Sequence, residues 1–261
     1  MKPLLLAVDS GNTRVKWGLH DGRNWLMQGA AAQGDTARLE QEWRNLHEPS
    51  RVVVSNVASI QTRTILSELL ARWKAEPQWV TAAPYQCGVR NYYANAAQLG
   101  SDRWAALVAA WVLERQGCLV VDAGTAMTVD ALSDTGEFLG GIITPGIDLM
   151  QKILVENLGL ESGDGKFCDY PDSTADALFS GALHAMAGAI ERMAALLAGT
   201  LGRMPECILS GGAAQQLQPQ LNVNVKVMDN LVLQGLLAIA RETSETASGE
   251  AAASPEDSTG N

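Results

Sequence analysis

Leu4-Leu-Leu-Ala-Val8-Asp9-Ser10-Gly11-Asn12-Thr13-Arg14-Val15-Lys16-Trp17-Gly18-Leu19 is an apolar run of strand length that ends on an aspartate, followed by a Gly-centred turn and an alternating stretch. A second turn follows at Asp21-Gly22. This reads as a buried strand and a hairpin, with a carboxylate at the mouth of the first turn. The design recurs at Cys118-Leu-Val-Val121-Asp122-Ala123-Gly124-Thr125-Ala-Met-Thr128-Val129-Asp130-Ala-Leu132, which closes on Asp134-Thr135-Gly136. Aligning Asp9 with Asp122 puts Gly11 on Gly124 and Asp21 on Asp134 without a gap. One Asp-x-Gly turn is more often a plain hairpin, with Asp and Asn making local turn hydrogen bonds. Two copies with matching hairpins suggest a duplicated domain, with a turn from each half facing a shared cleft.

The 261 residues suit two domains of ordinary size. Strands alternate with helical patterns in both halves, which implies three-layered α/β domains with a largely parallel sheet edged by antiparallel hairpins. The first half runs over 1–116 and the second over 117–241. From Glu242 the composition shifts to Ser, Thr, Glu, Ala and Gly, and an acidic tail over 242–261 reads as disordered. Ile60 to Trp73 carries a helical apolar stripe, and Ala82 to Gln98 reads as loop. Trp104, Leu107, Val108, Trp111 and Val112 mark one face of a helix opened by Gly100-Ser101-Asp102-Arg103; its tryptophans suit a core or a subunit contact. Thr144 suits an N-cap with Pro145 at the first helical position, and Ser173 or Thr174 begins a long helix towards Leu201.

Composition excludes several classes of function. No apolar run approaches the roughly 20 residues of a membrane helix, and the opening residues lack the pattern of a signal peptide. A net charge of −10 argues against nucleic acid as the main partner, because phosphate contacts need basic surface. The four cysteines form no C-x-x-C pair, which points to a reducing cytoplasm, and the three histidines offer no metal-ligand spacing. Gly165-Lys166 has no Gly five residues earlier and is followed by Phe167, so it is not a P-loop.

Chemistry concentrates at the two turns. Glycine lets the backbone approach a ligand, successive N–H groups form an anion site, and Ser10, Asn12, Thr13 and Thr125 add donors. An aspartate ending a strand can hold a hydrated cation, so facing turns fit a polyphosphate bridged by Mg²⁺, with Lys16 in reach of a phosphate. At Gly100-Ser101-Asp102-Arg103, Ser101 caps a helix and Asp102 suits the positive end of its dipole. The same place suits a base, kept ionised by the dipole and Arg103, and Arg103 could hold a carboxylate substrate through a two-pronged hydrogen bond. Spacing does not decide between these readings. Gly211-Gly212 could let a base or ribose lie against the backbone, or could equally be a tight turn.

Asp9 to Lys16, Gly100-Ser-Asp-Arg103, Val121-Asp-Ala-Gly-Thr125 and Gly140-Gly-x-x-x-Pro-Gly146 together resemble the motif set of type III pantothenate kinase, in order from about Leu4 to Arg241. That family belongs to the acetate and sugar kinase/Hsp70/actin superfamily. The resemblance implies duplicated ribonuclease-H-like, actin-like ATPase domains, each a mixed sheet flanked by helices, with the active-site cleft between them. It implies ATP-dependent phosphorylation of pantothenate, the first step of coenzyme A biosynthesis. Asp9, Ser10, Gly11, Asn12, Thr13, Arg14, Val15 and Lys16 would form the first phosphate loop, with Asp9 near Mg²⁺, and Thr125 would contact ATP. Asp122 would bind a monovalent cation, K⁺ or NH₄⁺. Gly100, Ser101, Asp102 and Arg103 would bind pantothenate with Asp102 as proton acceptor, and Tyr93 and Thr174 look like further contacts. The family is homodimeric. The chain departs from it at Tyr92 and Ala96, where Gly and Pro are common, and in its acidic tail.

Rival readings are another superfamily kinase or phosphatase acting on a different acceptor, and a non-catalytic regulator accessory to transcription. Retention of Asp9, Asp102 and Asp122 speaks against the latter. A chaperone or filament ATPase would need more chain for its inserted subdomains.

Overall fold

The computed structural model describes residues 3–160 and 163–252. In chain order the elements are β1 (Leu5–Ser10), β2 (Arg14–His20), β3 (Trp25–Ala32), α1 (Thr36–Trp43), β4 (Arg51–Asn56), α2 (Ile60–Leu70) and β5 (Pro77–Trp79). Two short strands follow, β6 (Tyr85–Gln86) and β7 (Val89–Asn91), and then α3 (Ser101–Glu114). The second half contributes β8 (Cys118–Ala123), β9 (Ala126–Leu132), β10 (Glu137–Pro145), α4 (Ile147–Leu158) and α5 (Thr174–Leu201). It finishes with β11 (Glu206–Ser210), α6 (Ala214–Leu217), β12 (Val225–Val227) and α7 (Leu231–Ala252).

The duplication is visible in the strand order. The first sheet runs β3-β2-β1-β4-β5, and the second contains the equivalent β10-β9-β8-β11-β12, extended beyond β10 by β7 and β6. In both, the hairpins pair antiparallel and the two following strands pair parallel, so each sheet is mixed rather than largely parallel. β1 and β8 share one burial pattern, as do β2 and β9. The equivalence is not gapless. Gly11 N–H donates to Arg14 O, three residues on, whereas Gly124 N–H donates to Ala126 O, two residues on. The second turn is one residue shorter, which makes Thr125 the counterpart of Thr13.

Side-chain alternation along the strands divides the core into three. Leu6 and Val8 of β1, with Val15, Trp17 and Leu19 of β2, face outwards and pack with Leu39, Trp43, Leu66 and Leu70 of α1 and α2. Leu119, Val121, Met127 and Val129 face outwards on the second sheet, against Leu183, Met186 and Ile190 of α5. The inward faces (Leu5, Ala7 and Val53 from one sheet, Cys118, Val120 and Ile208 from the other) meet α3 and α7 between them. Strands covered on both faces must be apolar throughout, which is why β1 and β8 read as continuous runs.

That central layer explains α3. Instead of one apolar face, every residue from Arg103 to Trp111 is buried. Trp104 and Trp111 lie in the core and make no exposed surface for a subunit contact. A Cβ at Gly235 of α7 would overlap the Ala105 carbonyl, so the glycine permits the close crossing of the two helices. Gly100, not Ser101, is the N-cap of α3 and has no side chain to bond; the buried Ser101 hydroxyl instead meets Ser55 Oγ at 2.9 Å.

Three further expectations change. β10 continues through Pro145, so the N-cap of α4 is Gly146 rather than Thr144. The stretch from Ala82 to Gln98 holds β6 and β7, which join the second sheet through Glu137↔Arg90 and Phe138↔Asn91. This segment, together with α7 returning to the layer beside β1, crosses the division at 116/117. α7 also runs past Arg241 to Ala252, through residues the composition suggests are disordered. Partners support the extension: Glu242 Oε1 accepts from Cys87 N–H at 2.7 Å, and Arg51 Nη1 donates to Ser244 Oγ. Residues 253–261 of the expected tail lie outside the described residues.

Candidate active site

The alternation that builds the central layer also aims the carboxylates. Asp9 follows Leu5 and Ala7 on the inward face of β1, and Asp122 follows Cys118 and Val120 on the inward face of β8. Both therefore point into the space that the N-terminus of α3 enters with Asp102. The loops beyond them touch: Thr13 Oγ1 and Thr125 Oγ1 are 2.7 Å apart. The two Gly turns thus face one another.

The pairing supplies charge as well as shape. Asp9 lies opposite Lys16 in the β1–β2 register. Burial, then the neighbouring charges of Asp102 and Asp122, raise the Asp9 pKa to about 7, against the pull of Lys16. Burial also raises Asp122; Lys16 opposes the shift and Asp102 adds to it. For Asp102 burial again dominates, outweighing the Arg103 N–H that donates to Oδ1 at 2.7 Å and the Arg103 charge. Burial sets the Asp102 pKa above its ordinary value, while the helix end and Arg103 favour the ionised form. Clustered buried carboxylates repel and lift one another's pKa.

Asp9 Oδ1 is buried and has no hydrogen-bond partner among the described residues. An orphaned carboxylate oxygen amid excess negative charge fits a cation. A divalent cation carried by phosphates needs only one or two protein carboxylates, which Asp9 fits.

The remaining expected residues separate into groups. Gly11 N–H is taken by Arg14 O, while Asn12, Thr13 and Arg14 are exposed around the turn. Ser10 and Val15 are buried on the outward face, Val15 within the first-half core, which leaves their backbone to meet a ligand. Tyr93 rests on Phe138, ring centroids 5.2 Å apart, with its hydroxyl 3.5 Å from Arg103 Nη1. Tyr92 turns away and donates to Glu137 Oε1 at 2.9 Å. Thr174 begins α5 and lines a cavity of ≈ 630 Å³ with Pro145, Met150, Ile153 and Leu154, whose walls share no residue with the Asp102 cluster.

Arg103 differs most from expectation. Its Nε donates to Asp130 Oδ2 at 3.1 Å and its Nη2 to Asp130 Oδ1, both groups being buried. The Nε/Nη2 edge is therefore occupied within the protein, while the Nη1/Nη2 edge lies on the side of Tyr93. Burial opposes the guanidinium charge, but Asp130 outweighs it and holds the Arg103 pKa above its ordinary value. Sequence reasoning passed over Asp130, although the alternation Met127, Val129, Ala131 against Thr128, Asp130, Leu132 puts it on the inward face with Asp122.

Glycines accommodate this arrangement. A Cβ on Gly100 would lie 2.5 Å from Asp102 Oδ1, and one on Gly141 would strike the Arg103–Asp130 pair. A Cβ on Gly146 would enter the second turn, 2.8 Å from Thr125 O, and Gly146 N–H donates to that oxygen at 2.8 Å. Gly211, with φ +101°, backs onto the Ala123 backbone at 2.5 Å for its absent Cβ. It is a tight turn supporting the second loop. Gly212 has nothing within reach.

Among known proteins, the family described as type III pantothenate kinase matches residues 5–196. A type III pantothenate kinase from Nitrosospira multiformis is 87% identical over 259 residues, 99% of each chain. One from Nitrosomonas eutropha is 47% identical over 242 residues, covering 91% of this chain and 94% of that one. The activator of the 2-hydroxyisocaproyl-CoA dehydratase from Clostridium difficile, solved with bound ADPNP, superposes with a TM-score of 0.54 at 14% identity, covering 98% of this chain and 100% of that one. At that identity the likeness is one of fold.

Proposed function

The chain belongs to the type III pantothenate kinase family and phosphorylates pantothenate with ATP, and we propose that it does so in the cleft where the Thr13 and Thr125 turns meet. The observation that carries this reading is the convergence of Asp9, Asp102 and Asp122 beneath two facing loops rich in N–H and hydroxyl donors.

In this reading the main chain of residues 10–15, with Asn12, Thr13, Arg14 and Lys16, cradles the phosphates from one side, and Thr125 from the other. The turns hold phosphate oxygens through backbone N–H groups, which need no reorganisation as charge develops. Asp9 would hold Mg²⁺, which neutralises β- and γ-phosphate charge when bound. Asp122 would hold a monovalent cation, K⁺ or NH₄⁺; burial and the Asp102 charge raise its pKa, and a cation would offset both. Pantothenate lies at the start of α3, its carboxylate towards Arg103 and Tyr93. The primary hydroxyl oxygen bonds to the γ-phosphorus as the bond to the β–γ bridging oxygen breaks, and Asp102 takes the hydroxyl proton. ADP leaves and 4′-phosphopantothenate remains, the first product on the route to coenzyme A. Such transfers depend chiefly on positioning and charge neutralisation.

A homodimer is part of the same proposal. The exposed apolar Ile143, Ile153, Leu154 and Leu158 lie on or beside α4, next to the Thr174 cavity, and a second copy would cover them. A cytoplasmic location is supported by the scattered cysteines, of which Cys118 and Cys207 are buried. No helix among the described residues is long and apolar enough to cross a membrane.

The test is ADP release with and without pantothenate, in K⁺ buffer containing Mg²⁺. ADP release that ignored pantothenate would refute the acceptor assignment.

A further inference from the structure

Beyond the residues already given roles, we infer that Asp130 is a positioning residue for acceptor selection, holding Arg103 so that a single guanidinium edge, beside the Tyr93 hydroxyl, is presented to the carboxylate of the substrate. This rests on the reading of Arg103 and Tyr93 as the carboxylate end of the pantothenate site.

The argument begins with what Arg103 can offer. A free guanidinium presents five donors and binds a carboxylate by two parallel hydrogen bonds. Here Nε–H and one hydrogen of Nη2 are spent on the two oxygens of Asp130, which leaves the Nη1/Nη2 edge. The pair is dry, with side-chain exposures of 9% for Arg103 and 2% for Asp130, so solvent does not loosen it. Three neighbours fix the plane. Phe138 lies under the guanidinium at 5.9 Å, Gly141 leaves the space the pair fills, and Nη1 points to Tyr93 Oη at 3.5 Å. When Tyr93 Oη accepts from Nη1, its own proton remains to donate elsewhere. Nη1 and Tyr93 Oη then make two donors of fixed direction at the edge of the cleft.

Charge gives a second reason for Asp130. An unpaired guanidinium at this point would sit beside Asp102, whose charge it already feels, in a cluster where Asp130 itself feels Asp102 and Asp122. It would be drawn to the carboxylates needed for the cation and the proton. Asp130 neutralises it in place and leaves recognition to hydrogen-bond direction. The pair is thus built for geometry rather than attraction; buried pairs of this kind often add little stability over apolar residues of similar volume.

The experiment compares two acceptors with the same reacting hydroxyl: pantothenate, and its alcohol counterpart in which CH₂OH replaces the carboxylate. The wild-type preference, as a ratio of kcat/KM values, is the control. If wild type shows no preference, the carboxylate reading of Arg103 fails, independently of Asp130. Given a preference, Asp130→Asn is expected to lower that ratio about tenfold or more, mainly through a higher pantothenate KM, because charged hydrogen bonds lose their aim. An equal loss on both acceptors, or an unchanged ratio, overturns the inference. Asp130→Asn leaves a buried charge unpaired and can fail to fold. The double variant Arg103→Met with Asp130→Leu removes both charges and provides the second arm. It should match Arg103→Met alone in its acceptor ratio, since Asp130 acts through Arg103. A double variant that keeps the wild-type ratio, or that falls well below Arg103→Met, overturns the assignment.

Discussion

Replacing Gly146 with alanine tests whether the second Gly turn is held by backbone packing. Gly146 has φ −79° and ψ 178°, a conformation alanine adopts freely, so no dihedral strain is involved. Alanine would even gain about 0.5–1 kcal/mol from its less flexible unfolded chain. Against this, the new methyl would lie 2.8 Å from Thr125 O and closer still to Gly124 O, both rigid backbone atoms. Ordinary contact begins at 3.4 Å, so the turn must retreat by more than half an ångström. Overpacking of that kind costs about 1–3 kcal/mol, leaving a net loss of up to about 2.5 kcal/mol. For a chain of this length that lowers Tm by up to about 10 °C. Because the retreating segment carries Thr125, kcat/KM for ATP should fall by about tenfold, given that a misplacement of roughly 1 Å costs about a hundredfold. Differential scanning calorimetry and steady-state kinetics with varied ATP read both effects. Gly188→Ala serves as control: Gly188 is exposed on α5 with nothing within 4 Å, and alanine there should raise stability by about 0.5–1 kcal/mol. A Gly146→Ala protein with Tm within a degree of wild type and unchanged ATP kinetics would refute the reasoning.

Asp102→Asn should keep the fold and ATP binding while kcat drops by about 10²–10⁴, the range for loss of a general base; turnover within a few-fold of wild type would remove Asp102 from that role. In nucleotide-free and Mg²⁺-free buffer, Asp9 should make stability fall as pH rises. Its folded pKa of about 7 exceeds the ordinary 3.8, so its contribution is complete below pH 4 and lost as pH rises through 7. Thermal melts between pH 5 and 8 should show this decline, and Asp9→Asn should flatten it; parallel curves would show that Asp9 does not carry the titration. Exchanging K⁺ for Na⁺ should depress the rate of wild type, and Asp122→Asn should abolish the difference. Equal wild-type rates in both salts would count against Asp122 as the cation ligand.

The local chemistry of this chain was legible from its residues. Continuous apolar runs ending on aspartate, Gly-centred turns and hairpins a fixed distance apart are properties of neighbouring residues, and they show the repeated hairpins, both Gly turns and the helix start at Asp102. Relations between distant residues were decided by tertiary structure. β7 joins a sheet whose partner strand begins at Glu137, so three residues in an apparent loop become strand. Gly146 is required by Thr125, and Arg103 is claimed by Asp130. The burial that raises the Asp9 pKa exists only once two sheets enclose α3 and α7. Side-chain identity and spacing determine which groups are available and how the nearby backbone bends. Which groups share a dry space, and hence which charges are paired, is decided by packing across the central layer.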